Sequence, residues 1–217
     1  MVISIEQKQV IDNIISIFET GKVSAPEAYS KVTILKDGAG ISYGKHQSTD
    51  RADSLDAIIF RYQDLQGGLS EQFIPFLDYL KMDASSKLDP NNPPGWAQDL
   101  MKLLSEAGKD PIMQKAQDDI FNEQYWLPAV RQAETIKLNL ALSYAILYDT
   151  CIHSGPAGVA NIRKRFPEKA PSNGGDEKAW SQAYIKARRA WLLANPNPIV
   201  KKTIYRMDAF QQIIDSN

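Results

Sequence analysis

The spacing of apolar residues predicts a chain built mainly from helices. The first such stretch places its apolar residues three and four positions apart: Ile11, Ile14, Ile15 and Phe18. Ser4 and Gln7 have the spacing of a capping box, and Gly21 stands where a helix would end. Residues 4–20 are therefore predicted to form an amphipathic helix.

The rest of the chain repeats this helical pattern between glycine and proline breaks. Further helices are predicted over residues 55–66, 70–80, 96–107, 111–133, 138–152, 159–165, 177–194 and 199–214. The segment 138–152 is apolar almost all round, which indicates a central buried helix. The Pro/Asn-rich stretch LDPNNPPGW, residues 88–96, is a candidate boundary between two lobes.

One short region has the pattern of strands instead. The β-prone runs KVTIL and GISYG flank Lys-Asp-Gly-Ala, and Asp-Gly is a favoured turn pair of β-hairpins. No second region gives a comparable signal. The predicted fold class is therefore mainly α (α+β), with one small β-hairpin early in the chain.

Composition excludes several classes of protein. The chain has 217 residues, 43% of them hydrophobic, and a net charge of -1, so nothing calls for nucleic acid or a membrane surface as partner. No apolar run is long enough to span a bilayer, and the N-terminus lacks the features of a signal peptide. The single cysteine, Cys151, is expected to be a buried, inert thiol. With two histidines and no cysteine cluster, neither zinc nor any other cofactor is expected.

Two carboxylates near the start of the chain are candidates for chemistry. Glu19 stands in the last turn of the first predicted helix, where the helix dipole disfavours a negative charge, and Asp37 belongs to the predicted hairpin turn. Each also has a plain interpretation, as a solvated helix-end residue and as a turn residue. Together they suit hydrolysis of a glycosidic bond, in which one acid protonates the leaving oxygen and the other activates water. Ser42 would hold that water.

Three separated segments carry a resemblance to a known family. The pattern F-E-x(17)-D-G-x-G-[IY]-[ST], which begins at Phe18, resembles the N-terminal signature of the chitosanases of glycoside hydrolase family 46. LSYAILYDTCIHSGPAG resembles the central helix of that family, and AYIKARRAW followed by YRMDAF resembles its C-terminal arginine motifs. The segments occur in the family's order and span most of the chain, although residues 67–135 have no match.

The resemblance implies a lysozyme-like, two-lobed fold in one catalytic domain, with the active cleft between the lobes. It also implies endo-acting hydrolysis of β-1,4 linkages in an amino-sugar polymer of the chitosan type, by an inverting acid/base mechanism. In this reading Glu19 would be the general acid and Asp37 the general base. Ser42, where the family usually has Thr, would orient the attacking water.

The resemblance further implies a charge network behind the catalytic pair, formed by Asp149, Arg188 and Arg206. An aspartate on an apolar helix is costly to bury unless it is paired, and two arginines would pair it. The alternative for Asp149 is a purely structural ion pair. For the two arginines the alternative is a solvated helix face.

Substrate contacts are assigned less directly. The acidic residue that holds a glucosamine amino group in the family has three competing counterparts, Asp50, Asp53 and Ser54, of which Asp53 is chosen. Tyr43 and His46 are the other candidate substrate-binding residues. Tyr43, or alternatively Tyr62, would stack on a sugar ring.

Two departures from the family pattern leave the substrate open. Ala39 stands where the family usually has Arg, and Lys45, His46 and Arg51 lie near the proposed site. These cations would suit an acetylated or anionic glycan, so a peptidoglycan-degrading muramidase or endolysin is an alternative. A catalytically inactive, glycan-binding relative is another. The expected partner is thus a polysaccharide, with no nucleic acid and no membrane insertion, and the chain is expected to act as a monomer. Its site of action is expected outside the cell or at the cell wall, by a route that the sequence does not indicate.

Overall fold

The computed structural model describes residues 3–23, 26–35, 40–52, 54–83, 87–89 and 91–216. Contacts divide the chain into two compact units. The first unit comprises Met1–Val23 and Glu123–Asn217, and the second comprises Ser24–Asn122. The stretch 88–96 lies within the second unit, so its prediction as a boundary between lobes is wrong.

Helices form most of the described chain, as predicted. In chain order they are α1 (Ile5–Thr20), α2 (Ser54–Asp64), α3 (Leu77–Leu80), α4 (Gly95–Ala107), α5 (Pro111–Phe121), α6 (Leu127–Thr135), α7 (Ala141–Ser154), α8 (Pro156–Arg163), α9 (Glu177–Leu193), α10 (Pro198–Lys201) and α11 (Tyr205–Asp215). Short 3-10 helices cover Pro26–Ser30, Asp50–Ala52, Ser70–Phe76, Pro171–Asn173 and Lys202–Ile204, and a π-helical turn covers Asn122–Trp126. None of the helices in the described part of the chain combines the length and the apolar character that crossing a membrane would require.

The first helix begins and ends where its capping signals predict. The Ser4 hydroxyl accepts a hydrogen bond from the Gln7 backbone N–H at 3.2 Å, and the Ser4 N–H donates to the Gln7 side chain at 3.0 Å. Gly21 closes the helix with a left-handed φ of 73° and donates to the Ile17 carbonyl. These local contacts confirm the predicted helix and place Glu19 in its last turn.

The core of the first unit is built around α7. Every residue from Ser143 to Cys151 is buried, and α7 contacts α1, α6, α8 and α9. An apolar surface on all sides of a helix is expected when neighbours surround it. The prediction of a central buried helix is confirmed.

The second unit contains the predicted hairpin. Strand β1 (Val32–Leu35) pairs antiparallel with β2 (Gly40–Tyr43), and the register places Thr33 opposite Ser42. The connecting residues 36–39 lie outside the described residues. A third strand of two residues, β3 (Ser48–Thr49), pairs with the other edge of β2 and was not predicted. All four residues of β2 are buried, and α2, α4 and α5 supply much of the surrounding core.

Three predicted helices are subdivided in the structure, two of them near a proline. Pro75 lies inside the 3-10 segment Ser70–Phe76, and Pro128 lies in the first turn of α6, after the π-helical turn. The third predicted helix is divided by the 3-10 segment Lys202–Ile204, which contains no proline. Proline has no N–H to donate to the preceding turn, so a continuous α-helix is locally interrupted. The helical spacing of the apolar residues is unaffected, which is why the sequence pattern does not reveal these breaks.

Candidate active site

In the first unit, Glu19 ends a chain of ionic contacts. Its Oε1 lies 2.7 Å from Nη2 of Arg206, whose Nη1 donates to Asp149 Oδ1 at 3.0 Å. The other oxygen of Asp149, Oδ2, accepts from Nη1 of Arg188 at 2.5 Å. Four helices, α1, α11, α7 and α9, each supply one residue. The structure therefore brings together four of the site residues predicted from the sequence: Glu19, Arg206, Asp149 and Arg188.

Burial differs sharply along this chain of contacts. The side chains of Asp149 and Arg188 have no exposed surface (0%), whereas that of Glu19 is 41% exposed. Arg188 also donates from Nη2 to the backbone carbonyl of Asp149 at 3.3 Å. Two guanidinium groups and two carboxylates balance in charge, which is the condition for burying ions at tolerable cost. The solvated-face alternative for Arg188 and Arg206 is wrong, since both are buried.

The network also acts on nearby titratable groups. Burial alone would lower the pKa of Arg206, but the carboxylates of Asp149 and Glu19 raise it above its ordinary value. His153 follows Asp149 by one turn of α7, and burial together with the charges of Arg188 and Arg206 lowers its pKa to about 4. His153 is therefore neutral near pH 7 and adds no charge to the two arginines and two carboxylates of the network.

A cavity of about 460 Å³ adjoins the network at His153. Its other lining residues include one indole, two amides and two cations: Trp191, Asn161, Asn195, Lys164 and Arg165. A volume of this order accommodates a small ligand or a sugar residue. Trp191 lies within the helical repeat of α9, and such a repeat gives no sign that the side chain faces a cavity.

In the second unit, Ser42 is a buried residue of β2. Among the residues that the structure describes, its Oγ has no hydrogen-bond partner. A buried hydroxyl normally finds a partner in the protein or in an ordered water. Because the hydroxyl is buried within β2, the role of Ser42 in orienting the attacking water stays a prediction.

Tyr43 does not have the exposure that a sugar platform needs. Its side chain is 1% exposed and belongs to the core of the second unit, so the prediction that it stacks on substrate is wrong. Tyr62, the alternative, is equally buried and donates its hydroxyl to Asp110 at 2.6 Å. Because every residue of β2 is buried, this strand has no solvated face on which a ring could lie.

His46 lies in an internal contact between the hairpin and α5. Its ring stacks on Phe121 with centroids 3.5 Å apart, and its Nε2 lies 3.5 Å from Asp118 Oδ1. Lys45 approaches the same carboxylate oxygen at 3.2 Å, and Tyr29 donates to Asp118 Oδ2 at 2.7 Å. Burial would raise the pKa of Asp118, but His46, Lys45 and Tyr29 lower it to about 2. Contact of His46 with substrate stays a prediction.

The structure narrows the choice for the residue that would hold an amino group. Asp50 is fully buried and accepts hydrogen bonds from Ile41 and Tyr79. Ser54 is buried, and its Oγ accepts a hydrogen bond from the Thr49 backbone N–H at 2.9 Å. Of the three competitors, Asp53 remains, but it lies outside the described residues, as does Asp37. Their assigned roles therefore stay predictions.

Metal binding gains no support from the clustering of side chains. Among the described residues, no group of three or more His, Cys, Asp or Glu is arranged to hold a metal ion. Cys151 is buried, and burial raises its pKa to about 12, so it is a thiol and not a thiolate ligand near neutral pH.

The mainly helical chain has a small antiparallel sheet and a half-exposed glutamate backed by buried arginines. These are the features that the family resemblance implies for a glycoside hydrolase of lysozyme-like fold. The model of glycosyl hydrolase family 46 matches residues 13–217, and the chain belongs to that family. The family resemblance noted in the sequence is confirmed.

Curated relatives and solved structures agree with this assignment. The chitosanase of Bacillus subtilis (strain 168) is 27% identical over 224 residues, which cover 98% of this chain and 78% of the relative. The chitosanase of Streptomyces sp. (strain N174) is 27% identical over 194 residues, or 86% of this chain and 67% of the relative.

Two solved structures share the fold. A chitosanase from Gynuella sunshinyii in complex with chitotetraose superposes with a TM-score of 0.79 at 24% identity, covering 99% of this chain and 90% of that one. A native chitosanase from Bacillus subtilis MY002 gives a TM-score of 0.79 at 22% identity, covering 100% and 91%.

Proposed function

We propose that this chain is an endo-acting chitosanase, which hydrolyses β-1,4 linkages of chitosan. Family membership supplies the reaction class, and the two relatives from Bacillus subtilis and Streptomyces carry the name chitosanase. The observation that carries the proposal is the ionic chain from buried Arg188 through Asp149 and Arg206 to Glu19. It holds a carboxylate in fixed contact at a helix end while leaving it accessible to solvent.

The proposed mechanism is an inverting single displacement. Glu19 is the general acid, which protonates the oxygen of the leaving sugar. Asp37 is the general base, which takes a proton from the attacking water, and Ser42 orients that water. The exposure of Glu19 supports the first of these roles. The role of Ser42 rests on its place in the family signature, where Thr is usual. The role of Asp37 rests on its place in the family signature.

The basic residues near the hairpin do not favour an anionic glycan. Lys45 and His46 both contact Asp118, and Arg51 donates to the backbone carbonyl of Leu88 at 3.1 Å. These contacts satisfy the cations within the second unit, so they give no reason to prefer peptidoglycan. Chitosan, the substrate type of the relatives, is therefore the better proposal. Because such a polymer is met outside the cell, we place the site of action there.

The first experiment compares substrates. Purified protein is incubated in parallel with chitosan and with peptidoglycan sacculi, and the products are identified by mass spectrometry. Glucosamine oligomers from chitosan, with no release from sacculi, are expected. Muropeptides from sacculi would instead establish the muramidase alternative, and binding to chitosan with no new reducing ends would establish an inactive relative.

The second experiment tests the general acid. Glu19→Gln keeps the size of the side chain and an oxygen that accepts from Arg206, so the variant is expected to fold normally. Removing a general acid commonly costs about a hundredfold to ten-thousandfold in rate. Glu6→Gln, on the exposed face of the same helix, is the matched control and should retain full activity. Turnover by Glu19→Gln near the wild-type rate would remove Glu19 from the mechanism.

A further inference from the structure

Asp50 is a buried carboxylate at the edge of the small sheet that the proposed mechanism does not use. The register that pairs Ser42 with Thr49 places Ile41 opposite Asp50, one residue beyond the end of β3. Asp50 Oδ1 accepts a hydrogen bond from the Ile41 backbone N–H at 3.1 Å. The side chain thus continues the ladder of the sheet where the third strand has ended.

The same carboxylate excludes a side chain at the residue before Ile41. Gly40 has a φ of 76°, in the left-handed region, and a Cβ added to it would lie 2.1 Å from Asp50 Oδ1. No side chain fits in that position while Asp50 occupies it. Asp50 therefore binds the backbone of Ile41 by a hydrogen bond and leaves room only for a glycine at the residue before it.

Asp50 is itself held by its surroundings. The hydroxyl of Tyr79 donates to Oδ2, and the charges of Lys87 and Arg51 act on the carboxylate. Burial raises the pKa of Asp50, while these neighbours and the Ile41 N–H oppose the rise. Lys87 is buried too, and its Nζ donates to the Leu80 carbonyl at 2.9 Å. A carboxylate with 0% exposure is costly, and an apolar residue would avoid that cost. What the carboxylate supplies, and an apolar residue would not, is an acceptor for Ile41.

We propose that Asp50 is a positioning residue for the glycosidic reaction. It fixes the start of β2 at Gly40 and Ile41, and so the backbone position of the residue that follows them, Ser42. The inference rests on the proposed function, in which Asp37 precedes Gly40 by three residues and Ser42 follows Ile41 directly. Asp50 acts through the backbone and does not touch the substrate.

The test compares three variants on a glucosamine hexamer. Asp50→Ala removes the acceptor, and Asp50→Asn retains an oxygen that Ile41 can donate to. Asp64→Ala, an exposed aspartate on α2 of the same unit, is the matched control. Because a displacement of reacting groups by about 1 Å can cost about a hundredfold, Asp50→Ala is expected to lose roughly tenfold to a hundredfold in kcat. Its KM should stay within about threefold, and Asp50→Asn and Asp64→Ala should stay within about threefold of wild type in kcat.

A second readout does not depend on activity. Hydrogen exchange of the Ile41 amide, followed by NMR, should be slow in the wild type and much faster in Asp50→Ala. The amide of Leu104, buried in the same unit, serves as the reference and should be equally protected in both. If Asp50→Ala does not fold, Tyr79→Phe replaces it, since this change removes the hydroxyl that orients the carboxylate. A loss of kcat at unchanged KM is again expected.

Several results would overturn the inference. One is an unchanged kcat in Asp50→Ala, or in Tyr79→Phe where that variant is used. Another is an Ile41 amide in Asp50→Ala that is protected as in the wild type. The third is a loss of kcat in Asp50→Asn as large as that in Asp50→Ala. These outcomes refute only the role of Asp50, provided that the wild type is active. A wild-type chain that releases no reducing ends refutes the proposed function first.

Discussion

Replacing Asp149 by Asn tests the buried charge network most directly. Asp149 receives hydrogen bonds from Arg188 at 2.5 Å and from Arg206 at 3.0 Å, and both Asp149 and Arg188 have 0% exposure. Asparagine has nearly the same shape, but it is neutral and offers one acceptor oxygen instead of two. The variant therefore leaves a buried guanidinium without its counter-charge.

The expected loss of stability follows from that burial. Breaking a buried ion pair by removing one partner costs roughly 3–5 kcal/mol. Since asparagine keeps one acceptor, we expect the lower end, about 3 kcal/mol. For a chain of this size, each kcal/mol lowers Tm by roughly 2–4 °C, so Tm should fall by roughly 6–12 °C. Urea unfolding followed by circular dichroism measures the free energy of unfolding, and a thermal scan measures Tm.

The chain offers a matched control for this variant. Arg189 and Asp208 form an ion pair of 2.6 Å between the same two helices, α9 and α11, that carry Arg188 and Arg206. Both of these side chains are well exposed, so water and salt screen the pair. The Tm of Asp208→Asn should therefore lie close to that of the wild type. Equal Tm values for Asp149→Asn and Asp208→Asn would refute the reasoning from burial.

A double variant separates the uncompensated charge from lost packing. Arg188→Met removes the buried cation while filling most of its volume. If the cost of Asp149→Asn comes from an unpaired guanidinium, adding Arg188→Met should recover part of the lost stability. Additive losses in the double variant would mean that packing, not charge, accounts for the effect.

Two further predictions concern titratable groups elsewhere. The pKa of Asp118 is lowered from 3.8 to about 2, so its contribution to stability is present above about pH 4 and is lost as the pH falls through about 2. Because the side chain is 39% exposed, screening reduces this contribution to about 1 kcal/mol. Asp118→Asn should be destabilised by that amount at pH 7 and progressively less below pH 4; a difference from wild type independent of pH would contradict this. Cys151, buried with its pKa raised to about 12, should not react with a disulfide reagent at pH 8 until urea unfolds the chain. Rapid labelling of the native protein would show that the thiol is accessible.

The features predicted correctly from sequence depend on neighbouring residues. The first helix was predictable because the Ser4 and Gln7 cap and the Gly21 stop lie within the helix or next to it. The buried helix α7 was predictable because its residues are apolar on all sides, whatever packs against them. The network required more than local pattern. Its members are far apart in sequence, and only the family motifs predicted that they belong to one network.

The features that were missed depend on distant contacts. The sequence around Tyr43 predicts a short strand but does not indicate what covers either face of it, and both faces of β2 are buried. His46 is held by Phe121, 75 positions away, and a loop histidine carries no sign of that contact. Strand β3 has only two residues, too few for an alternating pattern to be recognised.

The geometry of Arg206 explains why a buried aspartate affects an exposed glutamate. One nitrogen of its guanidinium, Nη1, is held by Asp149, while the other, Nη2, meets Glu19. Because the guanidinium is planar and rigid, fixing one nitrogen fixes the direction in which the other is presented. Asp149 in turn is oriented by Arg188, which grips both its carboxylate and its backbone carbonyl. The position of Glu19 is therefore determined from the interior of the first unit, by contacts that solvent does not reach. A lysine at position 206 has no second nitrogen that Asp149 would fix, so it would supply the charge without the direction.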